Sequence, residues 1–176
     1  MESRIPIIKR TALKPLDYGI ILVYLAIPIG IWLSTEQQHF SKEFIKDFTF
    51  GYFFVTPIFL VGLLYKRLRN FYFFLSWVLI GLTQIILYPE LQGLEEFQFF
   101  RGNAFTGMRS LLPTVIMYQI LRVIFIRTHN MEMIVATRKY QFSRWDEDQQ
   151  RKVTWLEVGF SLTLLATALL TNGADY

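Results

Sequence analysis

The chain has no cysteine and only two histidines among its 176 residues. The absence of cysteine excludes disulfide bonds, thiolate metal ligands and a cysteine nucleophile. His39 and His129 fall in segments that the topology below places on opposite sides of a membrane, so they cannot share a metal ion within one chain. No serine occupies a G-x-S-x-G turn. We therefore predict no enzymatic activity, no catalytic residue, no metal site and no cofactor.

Charge is scarce as well, and it is missing from long stretches of the chain. Charged residues make up 18% of the sequence and hydrophobic residues 53%. Residues 18–35, 48–65 and 71–88 are three uncharged blocks of 18 residues each. Eighteen helical residues span about 27 Å, close to the roughly 30 Å hydrocarbon thickness of a bilayer. These blocks have no polar face, which predicts helices surrounded by lipid.

Two further blocks, 110–126 and 153–172, each contain a single charge, Arg122 and Glu157 respectively. Counting both, we predict an all-α, polytopic membrane protein with five transmembrane helices. At this length the five helices form one integral-membrane domain. The lipid bilayer is thus the first predicted partner.

The basic residues alternate along the chain as five spans require. Thirteen of the eighteen Lys and Arg residues lie in 1–17, in the link at 66–69 and in 127–152. Loops rich in Lys and Arg stay in the cytoplasm, which predicts a cytoplasmic N-terminus and an external C-terminus. A bacterial cytoplasmic (inner) membrane is the simplest location, and an organelle inner membrane obeys similar charge rules. The basic residues are spread beside spans, so the net charge of +4 requires no nucleic-acid partner.

The two predicted outer loops are unusually apolar. In 36–48, phenylalanine recurs every four residues at Phe40, Phe44 and Phe48, which is typical of a short amphipathic helix in the interface. The alternative is that this stretch simply begins the second span. The loop 89–109 contains several phenylalanines and is too apolar for a free loop, so we expect it in the interface or against a neighbour. Glu95 and Glu96 in this loop are predicted to be solvated.

The basic cytoplasmic segment 127–152 precedes the last helix. Ser143 and Asp146 resemble a capping box, so the last helix is predicted to begin near Ser143. The apolar side chains of Met131, Met133 and Ile134 suggest a membrane-surface helix or a docking site.

Arg122 and Glu157 are predicted to form an intramembrane ion pair. Each lies five residues inside a basic residue at the inner end of its span, so their depths match. Charges at such depth are paired or functional. The alternatives are a proton or substrate path through the pair, or an arginine that reaches the headgroups alone. Gln84 and Gln119 are further polar residues inside predicted spans.

The last span carries a helix-packing signal. Gly159, Thr163, Thr167 and Thr171 recur every four residues and form a ladder of small residues on one face. Such a face lets a second helix approach closely, whether from the same chain or from another protein. Together with the absence of a catalytic set, this predicts a non-catalytic structural or assembly subunit that contacts other membrane subunits through the last helix and loop 89–109. The alternative is a small oligomeric transporter or channel, for which Pro28 and Pro57 would break helices near a substrate.

Overall fold

The structure is a computed structural model that describes residues 9–37, 41–93, 98–99, 102–136 and 153–172. The regular secondary structure of these residues is helical apart from one short antiparallel strand pair and a single parallel bridge between Lys9 and Asn70. In chain order the helices are α1 (Pro15–Gln37), α2 (Lys42–Leu63), α3 (Phe71–Gln92), α4 (Leu111–His129) and α5 (Trp155–Asn172). The strands β1 (Gln98–Phe99) and β2 (Gly102–Asn103) and two short 3-10 helices (Arg67–Arg69 and Thr106–Arg109) lie in the connections.

Four helical segments are long and apolar enough to cross a membrane: Pro15–Ser34, Lys42–Leu63, Phe71–Gln92 and Thr106–His129. This confirms the prediction of an all-helical membrane protein. The last apolar helix, Trp155–Thr171, is shorter. The count of five spans therefore stays a prediction.

The first four helices surround a common interior. α1 packs against both α2 and α3, while α4 packs against α2 and α3 from the other side. α5 lies outside this group and contacts α4 and α2. At the end where α2 turns into α3, the core is built on large side chains that are fully buried, including Leu68, Phe73, Trp77 and Phe125. Burial of such side chains is the main packing contribution between the helices.

The separate outer amphipathic helix was a wrong prediction within the described residues. α2 runs without interruption from Lys42, and the Ser41 hydroxyl caps it by accepting a hydrogen bond from the Phe44 N–H at 3.4 Å. No proline or glycine stands between Ser41 and Phe50 to end a helix there. The phenylalanine repeat is the first part of the second span, where the rings of Phe44 and Phe48 stack at 6.0 Å.

The described part of the connection between α3 and α4 folds back onto the helices of its own chain. Phe105 and Met108 are completely buried and join Phe53 and Leu91 in a second core cluster. The Arg109 guanidinium covers the Tyr88 ring at 4.2 Å. This explains why the segment is apolar: part of it is core. Glu95 and Glu96 lie outside the described residues.

Candidate functional site

The chain turns back into the protein directly after α4. α4 ends at His129, and Asn130 adopts the left-handed conformation with φ 49° while its N–H donates to the Ile126 carbonyl at 2.9 Å. Residues 131–136, here called the returning segment, then run without helix, and Met133, Ile134 and Val135 are at most 1% exposed. Of the two interpretations of Met131, Met133 and Ile134, a membrane-surface helix is therefore wrong for residues 131–136. A buried non-helical segment needs partners for its backbone polar groups, and these define the site.

Glu132 of the returning segment is the carboxylate that holds Arg122. Arg122 Nε donates to Oε2 at 2.9 Å and Nη2 donates to Oε1 at 2.8 Å, a two-point contact. Arg122 Nη1 also donates to Gln119 Oε1 at 3.3 Å, and Gln119 Nε2 donates to the Leu68 carbonyl at 2.7 Å. Arg122 is only 1% exposed. The intramembrane arginine is thus neutralised by an acid ten residues later in the chain.

Two more cations approach the same carboxylate. Lys9 Nζ lies 2.9 Å from Glu132 Oε1, and Arg69 Nε lies 3.7 Å from Oε2. Arg69 Nη2 also donates to the Met133 carbonyl at 2.9 Å. Burial raises the pKa of Glu132, but the hydrogen bonds from Arg122 and Lys9 and the charges of Arg122 and Arg69 outweigh burial and hold that pKa below its usual value. Glu132 is therefore a charged anchor for the returning segment.

Glu157 binds the returning segment from α5. Its Oε1 accepts from the Ile134 N–H at 2.7 Å, and its Oε2 accepts from the Thr154 N–H at 2.8 Å. The Thr154 hydroxyl in turn accepts from the Glu157 N–H at 3.3 Å, so the two residues form a capping box at the start of α5. One helical turn later, Ser161 Oγ accepts from the Ala136 N–H at 2.8 Å.

These contacts change the interpretation of both intramembrane charges. Arg122 and Glu157 bind the same returning segment, Arg122 through Glu132 and Glu157 through the backbone of Ile134. Their direct ion pair stays a prediction. A continuous last helix from Ser143 was wrong, because Val153 and Thr154 are not helical. Ser143 itself lies outside the described residues. The T-x-x-E pattern at Thr154 was the sequence signal that would have located the helix start.

The predicted packing ladder is exposed in its first half, at Gly159 and Thr163, and half-buried in its second, at Thr167 and Thr171. α5 buries Glu157, Leu164 and Ala168, whereas Gly159 and Thr163 are exposed and a Cβ added at Gly159 would meet nothing within 4 Å. Three of the ladder hydroxyls donate to the carbonyl four residues earlier, at 3.0, 2.9 and 2.7 Å, for Thr163, Thr167 and Thr171 respectively. The ladder therefore consists of small residues whose hydroxyl groups are already hydrogen-bonded within α5.

An apolar cavity of about 610 Å³ lies between α2 and α5 and is closed at one side by the returning segment. Pro57, Val135 and Ser161 are among its lining residues, and the four ladder residues are not. The cavity and the ladder are thus separate surfaces of α5. Within the described ranges, no group of three acidic or histidine side chains is arranged to hold a metal ion.

Comparisons with known proteins add no assignment. A scan of protein-family models, a search of curated proteins and a search of solved structures each gave no match to this chain. Its function has to be argued from the contacts above.

Proposed function

We propose that the chain is a non-catalytic structural or assembly subunit of a larger membrane-protein complex. The observation that supports it best is the exposed ladder on α5. α5 uses one face against its own chain, whereas Gly159 and Thr163 are exposed, and a Cβ added at Gly159 would meet nothing within 4 Å. Tightly packed helix pairs in lipid typically have small residues at every fourth position of the interface. Lipid provides no hydrophobic driving force between helices, so dispersion contacts between closely packed backbones hold the pair together.

The membrane orientation belongs to the same proposal. The N-terminus lies in the cytoplasm of a bacterial cell and the C-terminus lies outside, with α5 as the fifth span. The unequal distribution of Lys and Arg supports this arrangement. A reporter active only in the cytoplasm should be silent when fused after Tyr176 and active when fused after Gln141. The reverse pattern would reject the orientation, and activity at both positions would reject α5 as a span.

The subunit role is tested by replacing ladder residues and measuring assembly. Thr163→Leu and Thr167→Leu should reduce the amount of partner protein recovered with the tagged chain from mild detergent, because leucine keeps the backbones apart. Thr83→Leu on α3 is the matched control, since its hydroxyl also bonds the carbonyl four residues earlier, at 3.0 Å. A monomeric, stable chain without partners, unchanged by either ladder variant, would reject the proposal.

A small oligomeric transporter or channel is the second candidate. It is favoured by polar side chains buried between the first four helices, among them Gln84 and Thr49, each 0% exposed. Pro57 in α2 also lines the cavity beside α5. Solute flux in proteoliposomes that contain only this chain would place this candidate above the first.

A further inference from the structure

Four buried side-chain polar atoms of α2 and α3 form no hydrogen bond of standard geometry among the described residues. They are both amide atoms of Gln84, the Thr49 hydroxyl and the Trp77 indole N–H. All three side chains are 0% exposed. Neither solvent nor lipid outside the bundle reaches them, and an unmet hydrogen bond in such a place is strongly unfavourable.

Two of these side chains, Trp77 and Gln84, border one aromatic pair, Tyr24 of α1 and Tyr52 of α2. The Tyr24 ring lies 4.9 Å from Trp77 and 5.7 Å from Tyr52, and the Tyr52 hydroxyl donates to the Tyr24 carbonyl at 2.9 Å. The Gln84 amide also interacts with the Tyr52 hydroxyl, but through a contact that does not reach standard hydrogen-bond geometry. Thr49 precedes Tyr52 by three residues and therefore lies on the same side of α2. The unmet groups thus come from α2 and α3, and those of Trp77 and Gln84 flank one aromatic pair.

We propose that ordered water molecules are bound in the bundle interior around Tyr24 and Tyr52. The Trp77 N–H and the Gln84 amide require an acceptor, and Gln84 Oε1 requires a donor, so the ligand must do both. Water does both, and buried water molecules typically bond to polar groups that the protein itself leaves unsatisfied. An acyl chain supplies neither group. The site is independent of the α5 ladder, so it can exist whether or not the chain is a subunit of a complex.

Radiolytic footprinting in ¹⁸O-labelled water tests the proposal, because hydroxyl radicals formed from bound water label the side chains beside it. In the intact protein in detergent, Tyr52 and Trp77 should gain ¹⁸O although they are buried. Gln84→Leu should lose most of this labelling. Gln92→Leu is the matched control, since Gln92 is an exposed residue of the same helix. Thr49→Val removes one hydroxyl at nearly constant volume and serves if Gln84→Leu does not fold.

Thermal unfolding gives an independent test, because a hydrated amide and an unsatisfied amide predict opposite effects of Gln84→Leu on the Tm. If water satisfies the Gln84 amide, Gln84→Leu should leave the Tm unchanged or lower it. Absent labelling of Tyr52 and Trp77 would overturn the proposal. A raised Tm for Gln84→Leu would also overturn it, since removing an unsatisfied amide stabilises a protein. A larger molecule that co-purifies with wild type but not with Gln84→Leu would replace water as the ligand.

Discussion

Neutralising Glu132 should destabilise the protein more than neutralising any other aspartate or glutamate among the described residues. Glu132→Gln keeps the shape of the side chain but leaves Arg122, which is 1% exposed, without its counter-charge. Loss of one partner from a buried ion pair typically costs about 3–5 kcal/mol. The Lys9 contact should matter much less, about 0–1 kcal/mol, because the Lys9 side chain is 37% exposed.

The assay is a double-mutant cycle on the free energy of unfolding, measured by titration with a denaturing detergent in mixed micelles. Arg122→Leu and Glu132→Leu should each lower that free energy, and the double variant should recover part of the loss. We expect a coupling energy of about 1–3 kcal/mol, within the range for residues in contact. Glu43→Gln is the control, because Glu43 is exposed at the start of α2, and it should change stability by less than about 0.5 kcal/mol.

A second cycle on Arg122 and Glu157 decides between the pair predicted from depth and the pair seen in the structure. Glu157→Leu removes hydrogen bonds to the backbone of Ile134 and Thr154, so it should be destabilising by itself. Its coupling to Arg122 should be weaker than that of Glu132, because each residue contacts a different part of the returning segment. Stronger coupling of Arg122 to Glu157 than to Glu132 would refute the reasoning and restore the direct pair.

Three further outcomes follow from individual contacts. The pKa of Glu132 is lower in the folded state than its usual value of about 4.5. The Glu132 carboxylate therefore stabilises the fold fully above that usual value, and this stabilisation is lost as the pH falls through the lower folded pKa. Glu132→Gln should remove this part of the pH dependence of unfolding. Thr154→Ala should lower the free energy of unfolding by about 0.5–2 kcal/mol, because the cap of α5 is lost, and Thr154→Ser should restore most of it. Gly81→Ala should lower the Tm, since an added Cβ would lie 3.0 Å from the Leu112 Cβ, whereas Gly51→Ala, with nothing within 4 Å, should leave or raise it.

The helices were predictable because their signal is local. The uncharged blocks 48–65 and 71–88 correspond to α2 (Lys42–Leu63) and α3 (Phe71–Gln92), with differences of a few residues at most ends. An uncharged stretch of this length is enough to predict a spanning helix, since a helix satisfies its own backbone hydrogen bonds in lipid. The larger error, the start of α2 at Lys42, arose because the amphipathic pattern of a surface helix also fits the first turns of a span.

The returning segment could not be found by the same reasoning. Glu132 is a charged residue in a basic loop, and its charge by itself argues against burial. Matching depths predict Glu157 as the partner of Arg122 on the premise that the loop between their helices leaves the membrane and stays outside. The signal available was the apolar run at 133–136 directly after Glu132, which is too apolar for a solvated loop. Tertiary contacts, not periodicity, decide its position.

The returning segment also determines how variants of the site have to be compared. It connects Lys9, Arg69 and Arg122 on one side with Glu157 and Ser161 of α5 on the other. Because α5 carries the ladder, loss of Glu132 should loosen α5 and reduce partner recovery together with stability. Thr163→Leu should reduce partner recovery while leaving the free energy of unfolding of the isolated chain unchanged, because Thr163 is exposed. The role of the ladder in assembly can therefore be separated from the role of the buried charges in folding.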